Sequence, residues 1–145
     1  MTTTVIAIWG SAQQGKTSTL RRTIERLETH YGVTASVVGP TGQPDVTAVL
    51  DTRWGRIGVT TKGDPTTNPY LRVENLADAE NCKVILCSTR TRGDTVNDLD
   101  ALCNTRGWRL LWWSNISGAQ PHPAWNDLSA KYIVDLVETI MIGQQ

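Results

Sequence analysis

The segment at residues 10–17, Gly-Ser-Ala-Gln-Gln-Gly-Lys-Thr, fits the pattern G-x-x-x-x-G-K-[ST] at every fixed position, and it constrains the fold strongly. Glycines in this pattern let the backbone wrap closely and aim several N–H groups at phosphate oxygens. Lys16 can reach the outer phosphates of a nucleotide, and the Thr17 hydroxyl can ligate Mg²⁺. The pattern requires a strand before it and a helix after it, because the helix adds the positive end of its dipole.

Both flanks have the required character. Residues 5–9, Val-Ile-Ala-Ile-Trp, form a continuous apolar run that is typical of a buried parallel strand. After the motif, apolar residues recur at helical spacing with charged residues between them, at Leu20, Ile24, Leu27 and Tyr31. The order strand, loop and helix is therefore predicted for the first part of the chain.

On these residues the chain resembles the P-loop NTPase superfamily, and the specific resemblance covers residues 5–31. It implies a nucleoside triphosphate held with Mg²⁺. The residues that would bind it are Gly10, Ser11, Ala12, Gln13, Gln14, Gly15, Lys16, Thr17 and Ser18. A glycine-rich turn without a ligand is the alternative interpretation of the same residues.

Composition excludes several partners. The 145 residues fit a single domain, residues 1–145, and 14 basic side chains balance 14 acidic ones. Without a net positive charge, binding to nucleic acid or to an anionic membrane is not expected. No apolar run approaches the roughly 20 residues needed to span a bilayer, and no signal segment is visible, so we expect a cytoplasmic protein. The three cysteines lack metal-ligand spacing and are interpreted as thiols.

Strand-like and helix-like segments alternate along the rest of the chain. Strands are predicted at 33–38, 46–50, 56–61, 84–87 and 108–114, and helices follow or separate most of them. The last helix is expected to bury Leu128, Tyr132, Leu136 and Ile140. This order predicts an α/β three-layer sandwich with a mostly parallel sheet of about five to six strands and one antiparallel hairpin strand, similar to P-loop NTPases.

Strand direction selects the loops that surround the motif. If the first strand runs towards residue 10, a hairpin at 52–55 makes strand 46–50 run away from that edge, and all other strands run towards it. Loops 39–45, 62–67, 89–94 and 115–123 are then expected at the edge where open α/β sheets bind ligands.

Two aspartates compete to hold Mg²⁺ with Thr17. Asp51 follows the apolar run 46–50 and looks more like the acidic residue that P-loop enzymes carry at a strand end. The direction argument places Asp51 at the opposite edge and Asp64 at the motif edge, so Asp64 is favoured. The alternative is that Asp64 only opens a turn with Pro65.

Other candidates follow the later strands. Arg90 and Arg92 follow a buried strand, where guanidinium groups could bind a γ-phosphate; the alternative is a solvated turn paired with neighbouring aspartates. Asn115 lies where P-loop proteins often contact the base. Among the six tryptophans, Trp112 and Trp113 are expected under opposite helix layers, whereas Trp54 is expected to be exposed.

The residues favour a compact ATP-binding protein that hydrolyses ATP or transfers its γ-phosphoryl group, with Lys16, Asp64, Arg90 and Arg92 as catalytic candidates. ATP is preferred to GTP because no Asn-Lys-x-Asp element is present. The alternatives are a nucleotide-dependent switch that acts on a protein partner, a small-molecule kinase of atypical type with an unknown acceptor, and a loop that has lost its function.

Overall fold

The fold is α/β, and the computed structural model describes residues 2–9, 16–38, 46–61, 70–89, 94–114 and 123–143. Within these residues there are six strands: β1 (Thr4–Trp9), β2 (Ser36–Val37), β3 (Thr47–Thr52), β4 (Gly55–Thr60), β5 (Cys82–Thr89) and β6 (Arg109–Ser114). The helices are α1 (Lys16–Tyr31), α2 (Leu71–Asp78), α3 (Asp94–Arg106) and α4 (Pro123–Gly143). None of them combines the length and apolar character that crossing a bilayer requires.

The strands form one mixed sheet in the order β2-β3-β4-β5-β1-β6. Strand β1 is parallel to both β5 and β6, and β4 is parallel to β5. Strand β3 is antiparallel to both β2 and β4, which confirms the predicted hairpin. Strand β2 is shorter than the predicted segment 33–38, because only Ser36 and Val37 pair with β3.

These directions bring five strand ends to one edge of the sheet, which we call the carboxyl edge. Strands β1, β2, β4, β5 and β6 end there, whereas β3 begins there and ends at the opposite edge. The registers of β1 align Thr89, Trp9 and Ser114 in one row across three strands. The strand directions predicted from the sequence are therefore confirmed for the described strands.

Helices cover both faces of the sheet, which makes three layers. On β1, Ile6 and Ile8 pack in a cluster with residues of α1 and α4, while Val5 and Ala7 pack in a second cluster with residues of α2 and α3. Successive residues of a strand point to opposite faces, so the two clusters lie on opposite sides of the sheet. Left-handed backbone at Gly32 (φ 65°) follows the end of α1.

The buried face of α4 differs from the prediction. Ile140 is buried and Leu136 packs against the core, as predicted, but Leu128 and Tyr132 are 39% and 47% exposed. The fully buried residues include Ala130, Ile133 and Val137. Helix α4 carries two apolar rows, and periodicity alone does not distinguish them. Packing against α1 and the sheet selects the row that begins with the small Ala130, since a small side chain lets the helices approach closely.

The tryptophans also depart from expectation. Trp54 is partly buried against the cluster that contains α1 and α4, and the Arg53 guanidinium lies 4.6 Å from the centre of its ring. Trp112 is 42% exposed, because β6 is the last strand of the sheet. Trp113 packs against the α1 and α4 cluster as expected. Among the described residues the exposed indole rings are those of Trp9 on β1, Trp112 on β6 and Trp125 on α4, and none is at the hairpin.

Gly58 in β4 occupies a position where the core has no room for a side chain. A Cβ built there would lie 2.9 Å from Cys82 Sγ and 3.0 Å from Leu76 Cδ2. Cys82 and Leu76 are both almost completely buried, so neither can move into solvent to relieve the contact. The glycine thus allows α2 to pack closely on β4 and β5.

We predict that Gly58→Ala lowers the free energy of unfolding by about 1–3 kcal/mol, because the added methyl group overpacks this contact. Urea denaturation followed by circular dichroism measures the change. Gly143→Ala is the matched control, since a Cβ at Gly143 meets no atom within 4 Å. Equal stability of the two variants would contradict the close packing.

Candidate functional site

Lys16, Thr17 and Ser18 begin helix α1 and are the described residues of the predicted nucleotide site. The Lys16 side chain is buried, and its Nζ donates a hydrogen bond of 2.5 Å to the main-chain oxygen of Thr89. Thr89 is the last residue of β5. The Lys16 ammonium therefore lies at the carboxyl edge, as the motif predicts, while Thr17 is partly exposed and Ser18 is exposed.

Three of the predicted site residues directly follow, in the chain, the residues that form the row across β5, β1 and β6. Gly10 follows Trp9, Arg90 follows Thr89 and Asn115 follows Ser114. Those residues lie outside the described part of the chain, together with Ser11, Ala12, Gln13, Gln14, Gly15, Asp64 and Arg92. The structure thus brings together the strand ends from which these segments continue.

Hydroxyl groups at the ends of β4 and β5 bond to neighbouring strands. Thr60 Oγ1 lies 3.0 Å from Thr47 Oγ1, and Thr61 Oγ1 accepts a hydrogen bond from the Val46 amide at 2.8 Å. Ser88 Oγ donates to the Thr61 main-chain oxygen at 3.2 Å. These contacts tie the end of β4 to β3 and β5, so the hydroxyls of Thr60 and Thr61 support the edge of the sheet.

The Thr89 hydroxyl differs from these neighbours. Thr89 is fully buried, and among the described residues its Oγ1 has no hydrogen-bond partner. A buried hydroxyl without a partner is costly and requires an explanation. The main-chain oxygen of Thr89 accepts the hydrogen bond from the Lys16 ammonium group. Sequence reasoning did not select Thr89, although two hydroxyl residues ending an otherwise apolar strand were a visible signal.

Asp51 lies at the opposite edge of the sheet and forms an ion pair there. Its two carboxylate oxygens accept hydrogen bonds of 2.7 and 3.2 Å from the Arg56 guanidinium, which also contacts Glu80 at 2.9 Å. The hydrogen bond from Arg56 lowers the pKa of Asp51. In the register of the sheet, Arg56 on β4 lies opposite Cys82 at the start of β5. Thr89 follows Cys82 by seven residues, which corresponds to about 23 Å along the strand.

Burial keeps the described cysteines in the thiol form. It raises the pKa of Cys82 and of Cys87 to about 12 and that of Cys103 to about 11. All three are free cysteines. Among the described residues no group of three or more His, Cys, Asp and Glu side chains could hold a metal ion.

Helix α1, which carries Lys16, is held against α4 by charged side chains. Asp127 of α4 accepts hydrogen bonds from Arg22 at 2.5 Å and from Arg26 at 2.6 and 2.8 Å. Near the start of both helices, Thr19 Oγ1 donates to Asn126 Oδ1 at 3.3 Å. The hydrogen bonds from Arg26 and then Arg22 hold the pKa of Asp127 well below its ordinary value.

No protein-family model, curated protein or solved structure matches this chain.

We predict that Asp127→Asn lowers stability at neutral pH and reduces the loss of stability in acid. The pKa of Asp127 is depressed in the folded state, so its contribution is present above the pKa of the unfolded chain and disappears as the pH falls through the folded-state value. Urea unfolding between about pH 7 and pH 2 measures both effects.

The control for this prediction is Asp100→Asn, on the exposed side of α3. Wild type and Asp100→Asn should lose stability on acidification to a similar extent, and Asp127→Asn should lose less. Parallel curves for all three proteins would show that Asp127 does not anchor α1.

Proposed function

We propose that this protein binds ATP with Mg²⁺ at residues 10–18 and hydrolyses it or transfers its γ-phosphoryl group. The observation that supports this most is the Lys16 ammonium, buried at the carboxyl edge and bonded to the last residue of β5. A cation at this position, directly after the glycine-rich motif and at the start of a helix, is suited to phosphate. Lysine side chains are seldom fully buried unless a partner compensates them, and the Thr89 main-chain oxygen is one such partner here.

The Lys16 hydrogen bond explains how phosphate binding would be favoured. A main-chain carbonyl is a neutral acceptor, whereas a phosphate oxygen carries charge and forms a stronger hydrogen bond with an ammonium group. The same side chain can therefore be held by Thr89 before a nucleotide binds and can donate to the outer phosphates afterwards. In this proposal Lys16 neutralises the charge that develops on the transferred phosphoryl group.

Thr89 supports the proposal independently. Its buried Oγ1 lacks a partner among the described residues and belongs to the residue that bonds Lys16. In this proposal a phosphate oxygen or an attacking water accepts its hydrogen after nucleotide binding uncovers the hydroxyl, which is completely buried in the structure. We therefore add Thr89 to the candidate site as a residue that positions the reacting groups.

In the same proposal Thr17 and Asp64 hold Mg²⁺, and Arg90 or Arg92 binds the γ-phosphate. The position of Asp51 supports the choice of Asp64. Asp51 forms an ion pair with Arg56. Arg56 lies opposite the start of β5, about 23 Å along that strand from the edge that carries Lys16. A carboxylate at that distance does not reach a metal ion bound beside Thr17.

We predict that Lys16→Met lowers the affinity for Mg·ATP by roughly 10- to 100-fold, because a charged hydrogen bond to phosphate is lost. Methionine retains the apolar part of the side chain, so the buried site stays filled. Isothermal titration calorimetry measures the affinity, and circular dichroism checks folding. Lys131→Met, on the exposed side of α4, should bind like wild type. Unchanged affinity in folded Lys16→Met would reject the proposed site.

We also predict that Asp64→Asn reduces Mg²⁺-dependent ATP turnover by roughly 10-fold or more, whereas Asp51→Asn changes it little. Phosphate release in the presence and absence of Mg²⁺ measures this difference. The reverse order of effects would assign the metal-associated acid to Asp51. Tight binding without turnover in wild type would instead favour a nucleotide-dependent switch, and a phosphorylated acceptor would favour a kinase.

A further inference from the structure

Two exposed indole rings lie together at the carboxyl edge. Trp9 ends β1 and is 41% exposed, and Trp112 of β6 is 42% exposed. Trp112 pairs with Ala7, so the two tryptophans project from the same face of the sheet, on adjacent strands and two residues apart. With Val96 of α3 and Ser114 they line a pocket of about 240 Å³, which we call the tryptophan pocket.

The exposure of Trp9 is unusual within β1, because the other side chains of that strand are completely buried. Trp112 lies on the last strand of the sheet, where no residue is fully buried. Tryptophan has a large apolar surface, and leaving two rings partly in water forgoes burial free energy. Neighbouring exposed apolar rings mark binding surfaces more often than single ones. The tryptophan pocket is therefore a candidate for a flat, apolar ligand group.

The position of the pocket relates it to Lys16. Trp9 is aligned with Thr89 on one side and with Ser114 on the other. Neighbouring strands are about 4.8 Å apart, so Ser114 lies about 10 Å from Thr89, whose oxygen holds the Lys16 ammonium. Trp9 is also the residue that directly precedes the glycine-rich motif. The tryptophan pocket lies on the face of the sheet that α3 covers, whereas α1 covers the other face. A ligand that contacts both Lys16 and the pocket therefore crosses the carboxyl edge at Trp9.

We propose that the tryptophan pocket stacks the base of the nucleotide whose phosphates are bound at residues 10–18; this inference rests on the proposed function. The π-face of an indole attracts any nucleobase, and base stacking on aromatic side chains is common in nucleotide recognition. Such stacking does not by itself distinguish adenine from guanine. Ser114 is the polar residue among the described residues of the pocket and can contact the edge of the base.

A mononucleotide fits the pocket better than a strand of nucleic acid does. Among the residues that the structure describes, those lining the pocket carry no charge: Trp9, Val96, Trp112 and Ser114. Single-stranded nucleic acid requires a positively charged groove along its backbone in addition to stacking residues. The chain as a whole has no net charge to provide a general attraction. In the proposed function the phosphate-binding charge is local, at Lys16 and at Arg90 or Arg92, which suits one terminal triphosphate.

The experiment compares two ligands, Mg·ATP and magnesium tripolyphosphate, which share the phosphates but not the base. Calorimetry gives the affinity of each ligand for wild type, Trp112→Leu, Trp112→Tyr and Lys16→Met. Trp112→Leu is expected to weaken ATP binding about 5- to 100-fold and to leave tripolyphosphate binding unchanged. Trp112→Tyr retains an aromatic face and should restore most of the ATP affinity. Trp54→Leu, at the hairpin on the opposite edge, is the control and should bind both ligands like wild type.

The outcomes separate this inference from the proposed function. If Lys16→Met weakens both ligands but Trp112→Leu changes neither, the pocket does not bind the base and the phosphate site stands. If Trp112→Leu weakens both ligands equally, the ring supports the phosphate site only, which also overturns the inference. If wild type binds neither ligand, the proposed function fails and this inference fails with it. Tighter, Trp112-dependent binding of a single-stranded oligonucleotide would reassign the pocket to nucleic acid.

Discussion

The parallel pairing of β1 with β5 on one side and β6 on the other is the constraint on which the rest of the structure depends. Residues Val5, Ile6, Ala7 and Ile8 are completely buried, and they divide the core into two clusters on opposite faces. Because all three strands run in the same direction, their last residues form one row at the carboxyl edge. The segment after β1, the segment after β5 and the segment after β6 therefore all continue from this row.

The two edges of the sheet have different chemistry. At the edge of the hairpin, charged side chains pair with one another, as in the contacts of Arg56 with Asp51 and Glu80. At the carboxyl edge the described residues provide the buried ammonium group of Lys16, several hydroxyl groups at the ends of β4 and β5, and two exposed indole rings. Exposed ion pairs add little to stability, so the pairs at the hairpin mainly fix the orientation of the Arg56 side chain. In the proposed function and the proposed base stacking, the ammonium group and the two indole rings contact the ligand.

The position of Lys16 depends on the whole of α1 rather than on its first turn. Asp127 joins two turns of α1 to α4 through Arg22 and Arg26, and Leu20 and Leu27 pack into the core beneath. These contacts set the direction of the helix and hence the place at which its amino end meets β5. In the proposed function the phosphates are recognised at that end of α1 and the base is recognised on β6, so one ligand would bridge elements that β1 holds in register.

The sequence by itself determined the order of strands and helices, the antiparallel hairpin and the separation of Asp51 from the motif edge, because these follow from apolar periodicity and strand direction. The tertiary structure decided which apolar row of α4 is buried, since both rows satisfy the same period and only packing against α1 distinguishes them. It also decided that Trp112 is exposed and Trp54 partly buried, because exposure depends on the place of a strand in the sheet. The sequence shows hydroxyl residues after the apolar run of β5, but only the structure shows that the Thr89 hydroxyl has no partner among the described residues and that Lys16 bonds the Thr89 main-chain oxygen. Contacts between residues far apart in the chain exist only after folding.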